Sequence, residues 1–237
     1  MSGRNAALSF SLMNKTILIL LIIAASAIIS WFVRQTALNR ITRQLYRAAY
    51  VDKDTALFES LVNSLQAQMF IADKSRKIMS LNCYISMQDE DKVIEICKAM
   101  KGRKLDSSEF MAFFGSAIGF LCDRGNPYAE TLLNEMRNRY ASGCSVSEQM
   151  LLHDCELTCD VYINRNTGRI PDIEEILKGE LDDEQRAVYE YRLAKLYYYD
   201  DNKARAKELL KSAKNHTANK ASQKKIDGIL SGNWSLL

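Results

Sequence analysis

From residue 35 onward, apolar residues recur every three or four positions, and few stretches alternate apolar and polar residues over five or more. A recurrence near 3.6 is the signature of helices with one buried stripe, so the chain is predicted to be all-α. The pattern places helices near 35–50, 54–71, 74–87, 90–101, 107–123, 127–140, 147–164, 172–178, 183–199, 203–214 and 219–230. Asp106-x-x-Glu109, Ser145-x-x-Glu148 and Asp182-x-x-Gln185 each fit a capping box, and Pro127 and Pro171 stand where first helical residues belong. Short connections predict antiparallel neighbours.

One stretch breaks the amphipathic pattern. Residues 16–33 carry no charge and are mostly apolar, bounded by Lys15 and Arg34. As a helix, eighteen residues rise about 27 Å, close to the hydrocarbon thickness of a bilayer, so an N-terminal transmembrane helix is predicted, with Trp31 near one interface. A cleaved signal peptide is the alternative, because Ala25-Ser26-Ala27 resembles a cleavage site, but the run is longer than a usual signal core. Basic residues are more numerous after the span than before it, which favours a cytoplasmic C-terminal domain on a single-pass membrane protein. Just beyond the span, Leu38, Ile41, Leu45 and Ala49 share one stripe, while Arg40, Arg43 and Arg47 share another that would meet lipid headgroups. Ser26 and Ser30 form a small-xxx-small pair that would let two spans approach as a homodimer.

Composition sharpens this picture. Two prolines and ten glycines in 237 residues suit a helical chain with one sizeable core. A net charge of +3 does not by itself imply a nucleic-acid partner. The charge is unevenly placed, with eight acidic residues between 172 and 190 and eight basic ones between 203 and 225, which makes a salt-bridged seam or a docking surface. Six cysteines without framework spacing fit a reducing compartment.

A repeat runs through the helices. From Ala187, small residues fall at Ala194, Ala206 and Ala213 and large ones at Tyr197 and Leu210; from Phe110 the same offsets give Phe113, Ala117, Phe120, Ala129, Leu133 and Met136. This resembles the tetratricopeptide repeat, a 34-residue helix-turn-helix unit with small residues at the helix crossing. Frames from Leu152 and Lys74 fit less well. The resemblance implies a tail at 1–15, the span at 16–33, a juxtamembrane helical segment at 34–73 read as a divergent hairpin, an α-α solenoid of about four TPR-like hairpins at 74–216, and a capping helix and tail at 217–237.

Groupings that would carry chemistry are scarce. Cys144, His153, Cys155 and Cys159 are the densest set of metal-type ligands, but Cys155 and Cys159 fall on core positions of the repeat and His153 points elsewhere on the helix. Phosphate-binding, nucleophile-elbow and zinc-protease motifs are absent, and His153 and His216 are the only histidines, so the chain is read as no enzyme, with no cofactor or metal. Asp200 and Asp201 sit in a predicted turn. The tyrosines near 191–199 and the lysines after 203 belong to different faces, against nucleic acid.

The resemblance also implies where a partner would dock. Its concave positions fall on Met111, Phe114, Ile118 and Leu121 in one unit and on Val188, Tyr191, Lys195 and Tyr198 in another. A membrane-anchored scaffold or adaptor holding a protein or peptide partner in an apolar-aromatic groove is the expected function; the alternative is an outward-facing envelope or secretion-system accessory repeat protein. A helix of the same chain, 35–50 or 219–230, is the competing occupant of that groove.

Overall fold

The computed structural model describes the backbone of residues 2–237 and side chains from residue 23 onward. Among these residues there are twelve α-helices and no strand, in two compact units, Met1–Arg103 and Lys104–Leu237. The boundary cuts the expected repeat region after its first hairpin.

In the first unit, α1 (Ser2–Tyr46) runs into a π turn (Arg47–Val51), followed by α2 (Thr55–Val62), α3 (Leu65–Phe70), α4 (Asp73–Ser86) and α5 (Glu90–Met100). The stripe expected after residue 38 is the one buried: Ile41, Leu45, Ala48 and Ala49 pack with Phe58, Val62, Ala67, Ile71 and Cys83, and Leu38 flanks them. Each large side chain so buried contributes roughly 1.5–3 kcal/mol. The single helix expected over 54–71 is two. Ser64 ends the first through its hydroxyl bond to the Leu61 carbonyl (2.7 Å) and starts the second by accepting from the Ala67 amide (3.2 Å). Serine offers the backbone this local alternative to a continuous helix.

The expected transmembrane helix at 16–33 is corrected. Among the described residues no helix is long and apolar enough to cross a membrane. Residues 16–22 of the run lie outside the described side chains. The Ser26 half of the small-residue pair is occupied locally, its hydroxyl donating to the Ile23 carbonyl at 2.8 Å.

The second unit contains α6 (Ser107–Asp123), α7 (Tyr128–Tyr140), α8 (Val146–Tyr162), a 3₁₀ turn (Thr167–Arg169), α9 (Ile170–Lys178), α10 (Asp183–Tyr199), α11 (Lys203–His216), α12 (Lys220–Leu230) and a second 3₁₀ turn (Trp234–Leu236). All three capping boxes form with both halves present, on α6, α8 and α10. Helices α6 and α7 pair, as do α10 and α11, while α8 lies against both members of the first pair. The small residues expected at the crossings, Ala117, Ala129, Ala194, Ala206 and Ala213, are all fully buried.

The unit framed from Leu152 departs from the expected hairpin. Helix α9 lies along α10. The long connection after α8 is tied down by Arg169, which reaches Asp160 and Asp172 at 2.8 Å each, and this sends α9 toward α10.

Candidate functional site

Helix α10 is enclosed on several sides, which explains an unusual feature of its sequence: it buries three charged residues, Glu190, Arg192 and Lys195. A buried charge is tolerated only with partners, and each has them on a different side. Glu190 accepts from Ser212 Oγ (2.8 Å) and faces His216 Nδ1 (2.8 Å), both on α11. Arg192 donates to Asp154 (2.6 Å) and Thr158 (2.8 Å), both on α8. Lys195 Nζ donates to the main-chain carbonyl of Leu237.

The remaining face of α10 carries Glu184, Val188, Tyr191, Lys195 and Tyr198, spaced three or four apart on one stripe. Its first half borders a cavity of about 310 Å³, closed on the far side by Ser222, Lys225 and Ile226 of α12 and floored by Tyr162 and Ala213. That volume is at the lower end for a ligand site. Val188 is 46% exposed at its mouth. At the rim, Lys225 lies 3.4 Å from Asp123 and 5.4 Å from the Tyr191 ring centroid, and Glu184 accepts from the Thr217 hydroxyl (3.0 Å) and the Ala218 amide (2.6 Å).

The second half of the stripe is covered by residues 234–237. Trp234 stacks on Tyr198, the Tyr191 hydroxyl donates to the Leu236 carbonyl at 3.4 Å, and Leu237 enters the core. Gly228 on α12 makes room: a Cβ there would stand 2.7 Å from Leu236 Cδ1.

This environment shifts the titrating groups that touch it. Burial, followed by the charge of Lys225, brings the Lys195 ammonium down to about 8. Burial likewise pushes the Tyr162 and Tyr191 phenols well above their ordinary range. Lys195 lies 5.0 Å from the Tyr162 ring centroid and 5.7 Å from that of Tyr199, aromatic faces that suit an ammonium with few waters around it.

The sequence-derived candidates divide in two. Phe114 and Ile118 are 2% and 0% exposed and belong to the interior, Phe114 stacked on Phe110 with centroids 4.1 Å apart; Leu121 is buried beside them and Met111 half-buried. Tyr191, Lys195 and Tyr198 do lie together, with Val188, on the stripe above. Tyr197 is half-buried with its hydroxyl on Glu174 at 2.6 Å, while Asp200 and Asp201 make the turn before α11, Asp201 with a φ of +57°. In the first unit Arg40, Arg43 and Arg47 are exposed, and Arg47 pairs with Asp52 at 3.2 Å.

Cys155 and Cys159 are buried and Cys144 is exposed; among the described residues no group of three or more His, Cys, Asp or Glu is arranged to hold a metal. Residues 234–237 were not recognised from sequence as part of the site. The available signal was Trp234 followed by Leu236 and Leu237 after a polar helix.

No protein-family model, no curated protein and no solved structure matches this chain.

Proposed function

We propose that the chain is a protein-interaction module, an adaptor that holds a segment of a protein partner along the exposed face of α10 and performs no chemistry of its own. The observation that carries this reading is the apolar mouth at Val188, open above a cavity of about 310 Å³ and rimmed by charged groups. An apolar anchor with a polar rim is the usual anatomy of a protein-binding hot spot. The resemblance of α6–α7 and α10–α11 to tetratricopeptide hairpins supports the same reading, since repeats of that kind commonly bind peptides along one face.

A photo-crosslinking residue placed at position 188 tests it, with position 146 as the control because Val146 is 74% exposed on α8, outside the site. The expected result is a discrete protein adduct from 188, absent from 146, and lost when Glu184 or Lys225 is replaced by alanine. Identical adducts from both positions would reject the site.

A further inference from the structure

We infer that residues 234–237 are an internal ligand of the α10 stripe, and that the partner segment replacing them carries an aromatic residue followed two or three positions later by leucine or a similar aliphatic residue. The inference rests on the adaptor reading and deepens it by naming the partner's chemistry.

The contacts divide as they do in peptide recognition. Two main-chain carbonyls, those of Leu236 and Leu237, accept from Tyr191 and Lys195. Such bonds are available to any sequence, so they hold a peptide without selecting it. Selection comes from the side chains: Trp234 lies flat on Tyr198 with 7° between ring planes, and Leu237 is 9% exposed in the core cluster. Any segment that offers an aromatic face and an aliphatic side chain at this spacing reproduces the full set.

The segment is attached to the fold by a short connection. It joins α12 through Ser231, Gly232 and Asn233, with Gly232 at a φ of +113° that other residues rarely adopt. Short segments held by a few contacts open at a small fraction of the global unfolding free energy. Once residues 234–237 lift, the covered half of the stripe joins the open cavity through Tyr191, which borders both. A partner would then span the stripe from Glu184 to Tyr198, about 20 Å along the helix.

The test uses a fluorescein-labelled peptide of sequence Gly-Asn-Trp-Ser-Leu-Leu, amidated so that it offers only a main-chain carbonyl to Lys195. Its anisotropy is followed against the full chain and two full-length variants, Trp234→Ala and Leu237→Ser, each of which removes one side-chain anchor of the internal segment. Both altered chains are expected to bind at least about tenfold more tightly than the full chain, because the internal ligand no longer competes. Binding should weaken in the Trp234→Ala chain when Lys195→Met or Tyr198→Ala is added, and a peptide with serine for tryptophan should not bind. Absence of saturable binding to both altered chains, or equal binding to all three, overturns the inference. If that happens while position 188 still yields its adduct, the adaptor reading stands without an internal ligand. If the peptide binds but position 188 yields no adduct, residues 234–237 are a ligand of this stripe and the adaptor reading falls.

Discussion

The rings of Tyr198 and Trp234 lie parallel with centroids 4.9 Å apart, joining the last turn of α10 to a segment that follows α12 by only a few residues. Lys203 approaches the Tyr198 ring at 5.7 Å from its centroid. An offset aromatic pair is worth about 0.5–1.5 kcal/mol beyond its buried area. Since this pair is the main side-chain anchor at the near end of the segment, Trp234→Ala is expected to cost on the order of 2 kcal/mol, from the lost ring contact and the lost burial of the half-buried indole, while freeing residues 234–237 locally. Amide exchange resolves the two effects: the amide of Leu237, bonded to the Trp234 carbonyl at 3.1 Å, should lose protection, while those within α10 keep theirs.

Arg192 and Asp154 make an asymmetric pair. The Arg192 side chain is 10% exposed and that of Asp154 is 43% exposed, so removing the arginine leaves a carboxylate that water can reach, whereas removing the aspartate strands a guanidinium in the interior. Asp154→Ala is therefore expected to destabilise more than Arg192→Leu, by on the order of 1–2 kcal/mol, despite deleting the more exposed member. Urea midpoints of the two variants check the order; the reverse order would mean that the Thr158 bond and the packing of the arginine stem outweigh the stranded charge.

Cysteine reactivity follows burial. Cys83, Cys97, Cys122, Cys155 and Cys159 are buried and Cys144 is exposed. Burial raises the Cys83 thiol to about 11 and that of Cys155 to about 12, and the contact of Cys122 with Cys159, Sγ to Sγ at 3.5 Å, together with burial raises the Cys122 thiol as well. Only the thiolate is nucleophilic. Iodoacetamide at pH 8 should alkylate Cys144 alone in the folded chain and the other five only after unfolding, as mass spectrometry would count. Rapid modification of Cys122 or Cys159 would mean that the packing of α6 against α8 is looser than described.

What was legible from sequence had short range. Asp106, Ser145 and Asp182 each announce a helix start through a residue three positions on, and all three capping boxes are present. The alanines at the helix crossings were legible for a related reason: close approach of two helices demands small side chains wherever it occurs. Phe114 and Ile118 show the limit of a repeat frame, because a frame assigns a face without saying whether a neighbouring element covers it. The same blindness hid residues 234–237, whose contacts with Tyr191, Lys195 and Tyr198 span roughly forty positions and leave no periodic trace. At Ser64 the apolar rhythm continued while a hydroxyl redirected the backbone. The transmembrane expectation at 16–33 rested on one run of uncharged residues, whereas among the described residues no helix is long and apolar enough to cross a membrane.

Lys195 gives the site a pH signature. Its ammonium titrates near 8 in the folded chain, brought down first by burial and then by the charges of Lys225 and Arg165, with Asp123 acting in the opposite sense. In the unfolded chain it titrates near its ordinary value of 10.5. Between these two values the unfolded chain binds more protons than the folded one, so stability rises with pH across that window. Below the folded value both states are protonated and the group contributes a constant penalty, on the order of 3 kcal/mol at most. The raised phenols of Tyr162 and Tyr191 act oppositely at higher pH, because unfolding lets them ionise near 10. The two trends are separated by working between about pH 7.5 and 9.5 and by comparing the chain with Lys195→Met, which keeps much of the stem and removes the charge. The unmodified chain should gain stability relative to the variant over that range. A difference independent of pH would show that Lys195 keeps an ordinary ammonium, and that its bond to the Leu237 carbonyl forms without the desolvation described.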